Sequence, residues 1–119
     1  NFYDWPHNNF VNGYDAYLSA DKKIDVVVSK ENPSRSDRTS ALQAVLYAYY
    51  DTVSSRKLSQ FSENEQAIFN EKWEKLVERT CEVFEMTEKD LDTLRIKAGA
   101  DSYPSYSEVS SYVKERWGD

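Results

Sequence analysis

Ser62-Glu63-Asn64-Glu65 opens the longest unbroken helical signal in the chain. A serine followed three residues later by glutamate satisfies two free amides at a helix start, the serine as N-cap and the glutamate reaching back to it. Phe69, Trp73, Leu76, Val77, Thr80 and Phe84 then recur at helical spacing, and nothing breaks the run before Met86. A helix of about 24 residues is roughly 36 Å long at 1.5 Å per residue. An apolar stripe of that length must be covered, and the rest of the chain supplies helices to cover it.

Thr87-Glu88-Lys89-Asp90 is a second cap, restarting a shorter helix that carries Leu91, Leu94 and Ile96 and stops at Gly99. Residues 37–57 read as another long helix, capped by Asp37 or Ser40. Its stripe is Leu42, Val45, Leu46, Tyr49, Tyr50 and Val53, and Arg56 and Lys57 stand where cations favour the helix dipole. Residues 58–61 are a short link, so the two long helices are expected to be antiparallel neighbours. In residues 105–117, Ser105 and Glu108 form a capping box, Val109, Tyr112, Val113 and Trp117 face inward, and Gly118 ends the helix.

The N-terminal third is less regular. Phe10, Val11, Tyr14, Tyr17 and Leu18 suggest a short helix capped by Asn8 or Asn9 despite Gly13. Residues 24–28 are β-branched. They read as helix, with Ile24, Val27 and Val28 inward, or as irregular structure. The alternative is a short β element whose one candidate partner is the aromatic stretch at residues 2–5. The expectation is therefore a mainly α protein, a compact bundle of four to five helices. It forms a single domain over residues 1–119, with residues 1–36 less regular and residues 37–119 as the helical core.

Several kinds of chemistry lack their residues. The single cysteine, Cys81, leaves no disulfide and no Cys-cluster zinc site. Beside Glu82 its thiol is disfavoured as a nucleophile, so inert packing is expected. The single histidine, His7, has no GxSxG elbow to accompany it. Three glycines, Gly13, Gly99 and Gly118, make neither a phosphate loop nor a dinucleotide fingerprint, and no EF-hand pattern occurs. No enzyme activity and no cofactor are expected. No apolar run approaches the roughly 20 residues of a membrane helix, no signal-peptide pattern is present, and one unpaired thiol suits a cytoplasmic protein. Basic residues cluster no further than the pairs Lys22-Lys23 and Arg56-Lys57, so direct nucleic-acid binding is not expected.

Charge is where the sequence is informative. The chain carries a net charge of −6. Residues 1–61 and residues 93–119 are each neutral, whereas residues 62–92 hold ten acidic against four basic side chains. The whole imbalance lies in that one stretch. On a helix, Glu71, Glu74, Glu78, Glu82 and Glu85 fall within about 80° of arc, opposite Trp73, Leu76 and Thr80, in a row about 21 Å long. Lys72, Lys75 and Arg79 border one edge, and Glu71 suits Lys75 at i+4. Glu74–Glu78 and Glu78–Glu82 are like-charged pairs that cost a few tenths of a kcal/mol each. A solvated face, a docking surface for a basic partner, and carboxylates serving as metal ligands or an acid–base pair are the competing readings. The last needs two different environments, which a uniform exposed row does not supply.

Seventeen aromatic side chains (nine Tyr, five Phe, three Trp) are many for 119 residues. Tyr47, Tyr49 and Tyr50 cannot all face one way on a helix. Tyr103 and Tyr106 flank Pro104, and Phe2, Tyr3 and Trp5 sit near one end. Some of these aromatics suit a partner surface. The functional expectation is a non-enzymatic interaction or regulatory module. It would dock a basic protein through Glu71, Glu74, Glu78, Glu82 and Glu85, with Tyr103 and Tyr106 adding apolar contact, as an inhibitor or a nucleic-acid mimic. At one carboxylate per roughly 5 Å, the row is sparser than the 3.4 Å per phosphate of a DNA strand, which favours general docking over mimicry. The alternative is a structural or assembly domain, such as a virion component, that self-associates through its aromatics.

Overall fold

The computed structural model describes residues 5–118, with side chains from residue 9 onward. It is a bundle of α-helices: α1 Trp5–Ser29, α2 Arg35–Thr52, α3 Glu63–Phe84, α4 Glu88–Ala98 and α5 Tyr106–Trp117, with a 3₁₀ turn at Leu58–Gln60. There is no strand among the described residues. The bundle extends 46 × 27 × 24 Å.

The segment expected to be least regular carries the longest helix. Trp5–Ser29 is one helix of 25 residues, so Asn8 and Asn9 lie inside it rather than capping it. Gly13 does not break it, because the position is a close crossing: a Cβ there would meet Thr52 Cγ2 at 2.7 Å and Phe69 Cζ at 2.9 Å. Residues 24–28 are helical, and the β alternative does not occur. Ala16, Ala20, Ile24 and Val27 form the buried stripe. Val28, expected inward, shares the face of Ile24 but is 59% exposed, because it stands in the last turn of α1, one residue before the helix ends. The aromatic partners proposed at residues 2–4, and the side chains of Trp5 and His7, lie outside the described residues.

Helix α2 starts earlier and ends earlier than its pattern suggests. Ser34 is the N-cap, and Asp37 is its N3 partner, closing the box that Asp37 or Ser40 was expected to start. The helix stops at Thr52, and the hydroxyls around its end bond back to the last turn. Thr52 Oγ1 donates to Ala48 O at 2.6 Å and Ser54 Oγ to Tyr50 O at 2.7 Å. Arg56 and Lys57 therefore lie in the following turn, off the helix end.

Both capping boxes downstream form as read, Ser62 with Glu65 and Thr87 with Asp90. At α5 half of the box forms, Ser105 Oγ accepting from the Glu108 amide at 3.3 Å. Leu91, Leu94 and Ala98 make the buried stripe of α4, while Ile96, two residues past Leu94 and thus across the helix, is 62% exposed. Gly99 caps α4 with φ 140°.

Contacts fix the directions. Lys30 meets Asp37 at one end of α1 and α2, and Tyr17 meets Thr52 further along, so the pair is antiparallel. Helix α3 runs antiparallel to α2, with Tyr49 against Trp73, and alongside α1, with Phe10 on Phe69 and Asp21 on Arg79. The core between them contains Ile24, Leu42, Val45, Leu46 and Phe69, and α5 closes one end with Val109, Val113 and Trp117, the last against Phe84.

Candidate functional site

Helix α3 places its charges by the same periodicity that places its core. Phe69, Leu76, Thr80 and Phe84 are buried. Glu71, Glu74, Glu78 and Glu82 are exposed on the opposite side over three turns. Glu85 is not part of the row. The helix ends at Phe84, and Glu85 turns into the left-handed conformation, φ 54° and ψ 48°. Its amide and that of Met86 both reach back to the Cys81 carbonyl, and its own carbonyl accepts from Arg116 of α5.

Two of the three cations of α3, Lys72 and Arg79, are drawn toward α1, while Lys75 stays exposed at the edge of the row. Lys72 Nζ sits 4.2 Å from the ring centroid of Tyr14 on α1. Arg79 donates to Asp25 and, at 3.1 Å, to Asp21, both on α1. The guanidinium is held still more firmly protonated by these carboxylates, first Asp25. Among the described residues none of the five glutamates forms an ion pair, including Glu71 with Lys75. Among the described residues the acidic face therefore has no ion-paired counter-charge.

Beside that row lies a groove of about 500 Å³ between α3 and the start of α4. Trp73, Val77 and Cys81, each one turn apart and half-buried, line its floor, and the exposed Glu74, Glu78 and Glu88 stand at its rim. Tyr49 of α2 braces the Trp73 indole, with centroids 5.0 Å apart, and Arg95 lies over the Tyr49 ring. Burial raises the Cys81 thiol above its ordinary pKa, and Glu88, Asp90 and Asp92 raise it further. The thiol is thus kept protonated rather than activated.

The two tyrosines flanking Pro104 part company. Tyr103, 62% exposed, packs on Tyr47 and Tyr50 of α2 at 5.4 and 6.2 Å. Tyr106, exposed on the first turn of α5, shares no ring contact with it among the described residues. Tyr49 faces the other way, onto Trp73. A second cavity of about 350 Å³ includes Asn9, Asp15, Tyr47, Asp51 and Gln60. Burial raises the Asp51 carboxyl, and Lys57 at 3.7 Å offsets part of that.

Sequence reasoning found the glutamate row but not the groove. Trp73 and Val77 were visible as i, i+4 members of the apolar stripe, yet nothing local shows that they stay half-open. Glu88 comes to the rim only because the turn at residues 85–87 brings the next helix back alongside.

Among the described residues no helix is long and apolar enough to cross a membrane, and no group of three His, Cys, Asp or Glu is placed to hold a metal ion. Comparison with protein-family models, with curated proteins and with solved structures gave no match. The class the fold defines is an all-α bundle, and its function has to be argued from the site.

Proposed function

We propose that this chain is a non-enzymatic interaction module of the cytoplasm that docks a basic protein surface on α3. It regulates or inhibits its partner by occupying that surface, without chemistry or cofactor. The observation that carries this is the row Glu71, Glu74, Glu78 and Glu82, exposed and without ion pairs among the described residues while Lys72 and Arg79 of the same helix are engaged by α1. Charges set out in this way accelerate encounter and fix orientation more than they add raw affinity. The test is binding of a partner isolated from source-cell lysate, measured against salt, by the wild type and by Glu74→Gln/Glu78→Gln/Glu82→Gln. The wild type should weaken steeply with salt and the variant should bind roughly tenfold or more weakly at low salt. Equal affinity and equal salt slope would overturn the reading.

A second reading, an assembly domain, is favoured by Val11, Tyr14 and Leu18, an exposed apolar row on α1. It requires a mass that grows with concentration in sedimentation and is reduced to monomer by Leu18→Glu.

A further inference from the structure

The acidic row describes a partner's charge but not its shape, and the groove beside it supplies the missing part. Its lining is of two kinds. The half-buried Trp73, Val77 and Cys81 give it an apolar floor, and the exposed Glu74 and Glu78 of α3 and Glu88 of α4 give it carboxylates. The floor is firm, because Tyr49 backs Trp73 at 5.0 Å and Val77 packs against the core. The rim carboxylates have no ion pairs among the described residues. The other cavities differ in this respect. Lys57 already faces Asp51 in one, and Lys72, Lys75 and Arg79 line another. Three carboxylates and no cation line the Trp73 groove, and the Cys81 thiol, raised first by burial, is raised further by Glu88, Asp90 and Asp92.

We infer that this groove receives a basic peptide segment of the partner, with one large apolar side chain seated on Trp73 and Val77 and lysine or arginine on both sides of it meeting Glu74, Glu78 and Glu88. The inference rests on the docking reading above and narrows it from a charged face to a defined anchor. A volume of about 500 Å³ admits a bulky side chain with its flanking stems. The long aliphatic parts of lysine or arginine can lie along the floor while their heads reach the rim.

Cys81 makes the test specific, because it is the only cysteine in the chain and lies in the groove. The probes are a lysine-rich peptide with one central leucine and its analogue with alanine at the centre. Their affinities for the intact protein are measured by anisotropy at low salt, and the rate of Cys81 alkylation by iodoacetamide is followed with and without each peptide. The leucine peptide should bind roughly tenfold more tightly than the alanine analogue and slow alkylation by at least about that factor at saturation. Glu88→Gln, on the exposed rim and outside the α3 row, should weaken the leucine peptide severalfold. Equal binding of the two peptides with no protection of Cys81 overturns the groove assignment and leaves the acidic-face reading intact. Failure of both peptides to bind overturns the two together.

Discussion

The Tyr17 hydroxyl lies 2.8 Å from the Thr52 hydroxyl, joining α1 to α2 in the buried middle of the bundle. Thr52 spends its own proton on the Ala48 carbonyl at 2.6 Å, so Tyr17 is the donor to Thr52. Burial raises the Tyr17 pKa far above the ordinary tyrosine value, the largest of the causes acting on it. The phenol therefore stays neutral in the folded state when it would ionise in the unfolded chain. Its contribution is fully present below a pH of about 10 and is lost progressively as pH rises beyond that. Tyr17→Phe should cost about 1–2 kcal/mol at neutral pH, because Thr52 loses a buried partner. It should also flatten the alkaline decline in stability, measured by urea unfolding across pH. Tyr17→Phe with Thr52→Val should cost less than the two singles together.

Gly13 lies one turn before Tyr17 on α1. Alanine favours a helix interior by about 1 kcal/mol over glycine. Here the added Cβ would stand 2.7 Å from Thr52 Cγ2 and 2.9 Å from a Phe69 ring carbon. Overpacking costs about 1–3 kcal/mol, which meets or exceeds the propensity gain, so Gly13→Ala should destabilise by up to about 2 kcal/mol net. Adding Thr52→Ser, which removes the nearer methyl and keeps the hydroxyl, should recover part of that in thermal unfolding.

Glu85 occupies the left-handed region at φ 54° where α3 ends. Glycine reaches that conformation without the Cβ conflict. Glu85→Gly should raise stability by up to about 1 kcal/mol, whereas Glu85→Ala, which keeps a Cβ, should not. Chemical denaturation of the two variants separates backbone strain from loss of charge.

The acid limb of the stability profile has contributions of both signs. The Ser34 amide and Lys30 hold the Asp37 carboxyl below its ordinary pKa, and the Thr87 backbone and hydroxyl do the same for Asp90. Each stabilises the fold above the ordinary carboxylate value, and that contribution is lost as pH falls through the lowered one. Asp51 is shifted the other way by burial, so its ionisation costs stability as pH rises through the raised value. Asp37→Asn and Asp90→Asn should flatten the loss of stability below about pH 4. Asp51→Asn should instead stabilise the protein at neutral pH. Unfolding midpoints taken from acid to neutral decide all three.

The glutamate row on α3 should contribute nothing to folding. Glu74–Glu78 and Glu78–Glu82 are like-charged pairs one turn apart on an exposed face. Glu74→Gln/Glu78→Gln/Glu82→Gln should therefore be as stable as the wild type or more so, by a few tenths of a kcal/mol per pair at low salt, with the difference fading at high salt. Circular dichroism melts at two ionic strengths measure this independently of any partner.

Legibility followed the range of the interaction. A capping box spans four residues, so Ser62 with Glu65 and Thr87 with Asp90 could be read directly, as could the stripe Phe69, Leu76, Thr80 and Phe84 and the carboxylates opposite it. The ends of helices were less legible, because the stop at Thr52 and the left-handed turn at Glu85 depend on small local energy differences that periodicity does not carry. The β-branched stretch at residues 24–28 is compatible with helix or strand. It becomes helix because Ala16, Ala20, Ile24 and Val27 find a core on that one face. Gly13 looks like a weak point along the chain and proves to be a point of close approach among α1, α2 and α3. The groove required Trp73 and Glu88 to meet from two helices, with Tyr49 from a third behind the indole. Local chemistry thus determined the helices and the acidic face, since hydrogen bonds and side-chain period act within a few residues. Tertiary packing decided where α1 continues, which glutamates share a surface and where a cleft stays open, because those depend on burial against residues far away in sequence.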